Sequence, residues 1–400
     1  MMDAAPVERL HRAVSAVDWR AAAKAIVELD DLGRHRDAAL GRVLVASRRR
    51  DDKVLRAISA SAAGMVLRER PETRRELALA LYRTLGIASA REDLAALAAM
   101  PASGPLQSKV LALAALAEAV GDRPINQLQP GSESVVPFVE GTLLPTIPVS
   151  IDHHPAEPFI VDTGAPTTLI SRGYSDKAGI RRLAEGDSAL SGSGRRLPIS
   201  PAIVNRITIG EMSFTTCPVQ VADFPEDLGV KGVLSPGDTL RTVTAALDFG
   251  RRTFQIAAHG GGEGLEQDAG GRADLVWDEG NPFVGGTVNG RIAGYFLFDS
   301  GAGADIVTPA VAARLGKHPA DRRLTWSPTM MGQAEVWSGF SGTLAVAESP
   351  AVPAEFLIKA WHRDPSAIAP IDCSGYVGVS WMRGRRVILA RGGREIRFSL

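Results

Sequence analysis

The stretch FIVDTGAPTTLIS, Phe159 to Ser171, returns later in the chain as FLFDSGAGADIVT, Phe296 to Thr308. In both, two apolar runs are interrupted by an aspartate, a hydroxyl residue, a glycine and an alanine: Asp162-Thr163-Gly164-Ala165 and Asp299-Ser300-Gly301-Ala302. The apolar runs read as buried strands and each interruption as a tight turn. A carboxylate set alone among buried strands is strongly unfavourable unless another group shares its charge or fills its hydrogen bonds. Asp162 therefore needs a partner, and the second copy supplies one in Asp299.

The likeness extends well beyond the turns. TIPVSIDHHPAEPFIVDTGAPTTLIS from Thr146 and FVGGTVNGRIAGYFLFDSGAGADIVT from Phe283 align without a gap, and Gly179 falls on Gly316 at the same offset. Further on, GVLSP (Gly232 to Pro236) matches GYVGV (Gly375 to Val379), and LDFGRRTFQI from Leu247 matches LARGGREIRF from Leu389. A lone Asp-Ser/Thr-Gly arises by chance in roughly one of several chains this long. Two of them inside the same long context indicate a duplication. Each half has the same order: strand, acidic turn, strand, an apolar-apolar-small step, and a closing hairpin.

These residues resemble the aspartic proteases in their two-lobed, pepsin-like arrangement, and the DTGA and DSGA turns are similar to retropepsin-type lobes fused in tandem, as in bacterial members. The resemblance spans about residues 142–400. It implies a mainly β fold, with two pseudo-symmetric aspartic-protease β-barrel lobes in one chain, preceded by an α-helical N-terminal domain. It also implies an aspartic endopeptidase that needs no cofactor and no metal and acts on peptide or protein substrates in extended form.

The chemistry follows from the pair. Gly164 and Gly301 let the backbone turn sharply, so Asp162 and Asp299 can meet at the floor of a cleft. Two adjacent carboxylates cannot both be charged cheaply, so one pKa rises and the pair shares a proton. The ionised member can take a proton from water while the protonated one donates to a scissile carbonyl. By resemblance, Thr163 and Ser300 reach across to the opposite lobe and lock the turns; a local turn hydrogen bond is the plainer alternative. Ala165 and Ala302 stand where gastric-type relatives carry Ser or Thr. Without that hydroxyl the charged form loses a donor, which predicts higher pKa values and an optimum in mildly acid to near-neutral pH. In the apolar-apolar-Gly step, Tyr376-Val377-Gly378 fits, whereas Val233-Leu234-Ser235 has Ser in place of Gly. Hairpin positions that would fold over a substrate are Ser191-Gly192-Ser193-Gly194 in the first half and Met330, Met331 and Trp337 in the second; ordinary hairpin or core residues are the alternative.

The rest of the chain is less specific. Forty-five Lys+Arg balance 45 Asp+Glu over 400 residues, which argues against nucleic-acid binding driven by net charge. No stretch reaches the run of about 20 apolar residues that spans a bilayer, so no membrane insertion is expected. Residues 1–120 carry helical periodicity, with Pro71 and Glu72 as a helix start and Gly86 as a stop. Residues 121–141 and 259–274 read as linkers, bounding lobes at 142–258 and 275–400. RRRDDK (Arg48 to Lys53) reads as a solvated face or turn, and His153-His154 as surface turn residues instead of metal ligands. Cys217 and Cys373 fit small buried thiols in a reducing, cytoplasmic setting; a removed signal would instead imply a periplasmic or secreted protein. The helical region admits two readings, an inhibitory pro-segment or a docking domain for substrate or protein partner, and its length favours docking. The rival to the enzyme is a catalytically silent pair of lobes serving as a peptide-binding or assembly module; two adjacent acids would be an unfavourable feature to keep there.

Overall fold

The structure, a computed structural model, describes residues 5–400 except 102–104, 130, 132, 185–186, 191–195, 224–228, 259–264, 266–268, 319–323, 330–331, 363–366, 391–392 and 400. The chain divides into two compact units. One contains the N-terminal helices together with residues 276–279 and 367–372, and the other contains the rest of the β structure with its short helices.

The helical unit comprises α1 (Ala5–Ser15), α2 (Trp19–Asp31), α3 (His35–Arg48), α4 (Asp52–Ser59), α5 (Ala62–Arg68), α6 (Pro71–Leu85), α7 (Ile87–Ala98) and α8 (Pro105–Val120). Local chemistry sets several ends. Asp18 and Asp51 accept from the backbone N–H groups of Ala21 and Val54, capping α2 and α4. Pro71 opens α6 and Gly86 follows its last residue. The RRRDDK run forms the turn between α3 and α4, one of its two sequence readings, but it is not a solvated face, because Arg48 and Arg50 are buried. Arg48 pairs with Asp278 at 2.7 Å and donates to the Ala369 carbonyl at 2.7 Å, and Arg50 lies 3.3 Å over the Trp277 ring. Arg83 pairs with Glu279 at 2.8 Å, and this guanidinium holds the Glu279 carboxyl down to about 2. These buried and half-buried charges fasten two segments from the second half of the chain into the helical unit.

The β unit opens with β1 (Gln127–Leu128) and β2 (Glu133–Pro137), continues through β3 (Thr146–Ile151), β4 (Glu157–Val161), β5 (Leu169–Ser171), β6 (Asp187–Leu190), β7 (Arg196–Ile209), β8 (Met212–Ala222) and β9 (Gly232–Leu234), and closes its first half with β10 (Val243–Asp248) and β11 (Thr253–Ala258). The second half of the chain holds β12 (Gly271–Asp274), β13 (Val276–Asp278, in the segment assigned to the helical unit), β14 (Asn281–Val288), β15 (Ile292–Phe298), β16 (Asp305–Val307), β17 (Leu324–Thr329), β18 (Gly332–Val346), β19 (Val352–Ile358), β20 (Cys373–Val377), β21 (Arg386–Ala390) and β22 (Glu395–Phe398). In the first lobe the sheet runs β8-β5-β9-β4-β3-β7 and closes by β7–β8 pairing; in the second it runs β14-β15-β20-β16-β19-β18 and closes by β14–β18 pairing. The chain is therefore mainly β, with two like barrels preceded by helices. Phe159, Phe214 and Phe254 fill the first core, and Phe283, Phe296, Phe298 and Phe356 are fully buried in the second half.

Both segments read as linkers contain strands. β1 pairs with β8, β2 with β11, and β12 with β22. Their brevity and edge positions explain the difference. In β2 only Val136 and Ser134 point inward while Val135 is exposed, too short an alternation to stand out among Pro and Ser. A third sheet joins the halves in the order β12-β22-β21-β10-β11-β2. At its centre the closing hairpins of the two repeats meet, Ala245 opposite Leu389 and Leu247 opposite Val387.

Candidate active site

Each acidic turn is held from behind by a strand threaded between its two flanks. In the first lobe, β9 runs parallel to β4, with Val161 opposite Leu234, and antiparallel to β5, with Leu169 opposite Val233. In the second, β20 does the same between β15 and β16. The backbone N–H of Asp162 donates to the Leu234 carbonyl, and that of Asp299 to the Val377 carbonyl, both at 3.0 Å. The apolar-apolar-small step of the sequence thus backs each carboxylate. Past each turn, Ser171 and Thr308 cap the short helices Arg172–Lys177 and Pro309–Arg314.

The two turns grip each other. Thr163 Oγ1 donates to the Phe298 carbonyl at 2.7 Å and accepts from the Ser300 N–H at 2.9 Å. Ser300 Oγ donates to the Val161 carbonyl at 2.7 Å and accepts from the Thr163 N–H at 3.0 Å. Both hydroxyls are buried, and at about 1 kcal/mol net for each bond these four fasten one lobe to the other. The local turn bond weighed as an alternative is replaced by this cross-lobe one.

With the turns locked, Asp162 and Asp299 face each other as half-buried residues whose side chains are hydrogen-bonded together. Asp162 Oδ1 accepts from the N–H groups of Gly164 and Ala165 at 2.8 and 3.0 Å, and Asp299 Oδ1 from Gly301 at 2.8 Å. Desolvation pushes both carboxyls up; for Asp162 the like charge of Asp299 adds to this and carries it well above the usual carboxylate range. The glycines are required by close approach: a Cβ on Gly164 would lie 2.6 Å from Asp299 Cγ, and one on Gly301 2.5 Å from Asp162 Cγ.

The serine in the first lobe's step has a physical reason. In the second lobe the Val379 N–H donates to the Ala302 carbonyl at 2.8 Å. The matching residue of the first lobe is Pro236, which has no N–H. Ser235 Oγ instead donates to the matching Ala165 carbonyl at 2.7 Å. Ser235→Gly is therefore expected to cost about 1–3 kcal/mol by orphaning a buried carbonyl, and adding Pro236→Val should recover part of it. Urea unfolding of both variants measures this; a Ser235→Gly protein as stable as wild type, or a double variant no better than the single, would overturn the exchange.

Two further groups escaped the sequence reading. Asp305, aligned with Thr168, is buried and accepts from the Gly378 N–H at 2.8 Å, as Thr168 Oγ1 accepts from Ser235 N–H at 3.0 Å. Desolvation pushes its carboxyl up to about 6. Lys359, just past β19, is 6 % exposed and would have been legible only by laying β19 on β8. Of the remaining expected residues, Trp337 is half-buried on β18, opposite Ile358. Ser191, Gly192, Ser193, Gly194, Met330 and Met331 lie outside the described residues; the strands flanking them, β6 with β7 and β17 with β18, are paired antiparallel. His154 Nε2 lies 3.2 Å from the Ala178 carbonyl at the hairpin turn. Cys217 is buried, which pushes its thiol up, and Cys373 is half-buried; neither is in a disulfide. Among the described residues no group of three or more His, Cys, Asp or Glu could hold a metal ion, and no helix is long and apolar enough to cross a membrane.

Fold and site together define a two-lobed β protein with an acidic pair between its lobes. The family model for aspartyl protease matches residues 147–237, so the resemblance read from the turns is shown on the sequence of the first lobe. No curated protein matches the chain. Among solved structures, it is similar to an aspartic proteinase from Irpex lacteus, at 11% identity over 67% of this chain and 97% of that one, with a TM-score of 0.42. A basic 7S globulin from lupine seeds, conglutin gamma, aligns at 11% identity over 68% and 95%, TM-score 0.40. A retropepsin-like aspartic protease from Rickettsia conorii aligns at 19% identity over 27% and 84%, TM-score 0.21.

Proposed function

We propose that the chain is an aspartic endopeptidase, a hydrolase that cleaves peptide bonds in extended polypeptides by water activated between Asp162 and Asp299. The observation that carries this reading is the hydrogen-bonded pair of carboxyls on two turns locked by Thr163 and Ser300. The charged carboxylate takes a proton from water; the hydroxide oxygen bonds to the scissile carbonyl carbon while the protonated carboxyl gives its proton to the carbonyl oxygen. The resulting gem-diol collapses as a proton passes to the leaving nitrogen, and the C–N bond breaks. No covalent enzyme intermediate forms, and one proton remains on the pair.

The helical unit fits a docking domain better than a removable pro-segment. Arg48, Arg83 and Arg50 hold residues 276–279 by ion pairs and ring stacking, so a cut in residues 121–141 would leave these charges bound.

Turnover needs one proton on the pair. Below the lower pKa both acids are protonated and no base remains; above the upper pKa both are charged and no acid remains. Since burial and repulsion raise Asp162 well above its ordinary value, the alkaline limb moves toward neutral pH. Cleavage of a generic peptide library from about pH 3 to 8 is expected to give a bell-shaped profile peaking in the mildly acid to near-neutral range. Absence of cleavage throughout, or a maximum at about pH 2, would overturn the reading.

A further inference from the structure

The two lobes differ where symmetry would make them alike. The end of β19 pairs with β16 as β8 pairs with β5: Val307 stands opposite Ile358, and Ile170 opposite Val221. Lys359 therefore occupies the place of Ala222, which is fully buried. By the same alignment Tyr376 matches Val233 and Cys373 matches Val230, both buried. One lobe carries three apolar residues at these positions; the other carries an amine, a phenol and a thiol. The Lys359 N–H is fixed to the Val307 carbonyl at 3.1 Å, and its Nζ lies 5.0 Å from the centre of the Tyr376 ring. Tyr376 is adjacent to Val377, whose carbonyl holds the Asp299 backbone.

We propose that Lys359 is a positioning residue that breaks the symmetry of the carboxylate pair, its buried ammonium favouring charge on Asp299 and leaving the shared proton on Asp162. The first step then has fixed roles: Asp299 takes the proton from water and Asp162 protonates the carbonyl oxygen. The electrostatics agree in direction. Desolvation raises both carboxyls; on Asp299 the hydrogen bond from Asp162, the Gly301 N–H and then Lys359 oppose it, whereas on Asp162 the charge of Asp299 adds to it. The charged or titratable groups that act with Lys359 are Asp299, Cys373, Tyr376 and His362; burial lowers the amine and Asp299 and Cys373 oppose this. Placing a lone cation in a barrel wall is costly without a counter-charge, and the charge of Asp299 acts on the amine against that cost.

The role assignment rests on the protease reading, so the test is chosen to stand apart from turnover. Carbon-13 NMR titration of aspartate carboxyls, with Asp162→Asn and Asp299→Asn to assign the signals, is expected to place the lower step on Asp299 in the wild type. Lys359→Met, which keeps length and packing, should raise that step by about one pH unit, a tenfold change in proton affinity, and Lys359→Arg should restore it. In activity, the acid limb of kcat/KM should move up by the same amount, with little change in KM. A lower step on Asp162 in the wild type would overturn the proposal even if Lys359→Met fails to fold, as would an unchanged titration in a folded Lys359→Met. A chain with the expected titration that cuts no peptide would refute the hydrolase and leave the proton assignment standing.

Discussion

Asp162→Asn and Asp299→Asn, each made alone, are expected to lower kcat for peptide cleavage by about 10³-fold or more while leaving KM within a few-fold. The size of the effect follows from the shared proton. An amide can neither receive the proton of the attacking water nor hold the one passed to the carbonyl. The fold should survive, because the Asn oxygen can still accept the N–H groups of Gly164 and Ala165 at one turn, or of Gly301 at the other. Stability should stay level or rise slightly, since each substitution replaces a carboxyl whose charged form desolvation disfavours by a neutral amide. The measurement is steady-state kinetics beside thermal unfolding. Either variant retaining a tenth of wild-type kcat would refute the two-carboxyl mechanism.

Gly301→Ala is expected to destabilise the protein by about 3 kcal/mol and to lower kcat/KM by about 10²-fold. Gly164→Ala should do the same. The added methyl group would meet the opposite carboxyl carbon at 2.5 Å in the first case and 2.6 Å in the second. The turns cannot slide apart to make room, because Thr163 and Ser300 hold them through four buried hydrogen bonds. Either the lock breaks or the carboxyls separate. Gly285→Ala is a control: its Cβ would meet nothing within 4 Å, so activity should be near wild type. Gly301→Ala with unchanged kinetics and melting temperature would show that the turns have slack the geometry does not allow.

The site was largely legible in the sequence because its chemistry constrains residue types at close spacing. Two acidic turns, each with a hydroxyl and a glycine, and a small-residue step on each side are enough to place strands β4, β5 and β9 and their counterparts. What stayed hidden depends on partners remote in the chain. Arg48 looks solvated in its own neighbourhood, and it takes Asp278, 230 residues away, and the Ala369 carbonyl to make its burial tolerable. Lys359 looks like any lysine after a strand until β19 is laid on β8. Ser235 looks like a departure from a pattern until Pro236 is seen to lack the N–H that Val379 uses. The edge strands β1, β2 and β12 have too few inward residues to announce themselves and exist because a neighbour completes their ladders.

The seam between β10 and β21 bears on how such a chain could come about. Each closing hairpin opens with a strand whose outer ladder is filled by its counterpart from the other repeat. A half expressed alone would present that strand as a bare, adhesive edge, and its single acidic turn would lack an opposite number. Joining the copies by one peptide makes their meeting independent of dilution. It also frees the twins to diverge, so that one side can acquire a cation while the other keeps an alanine.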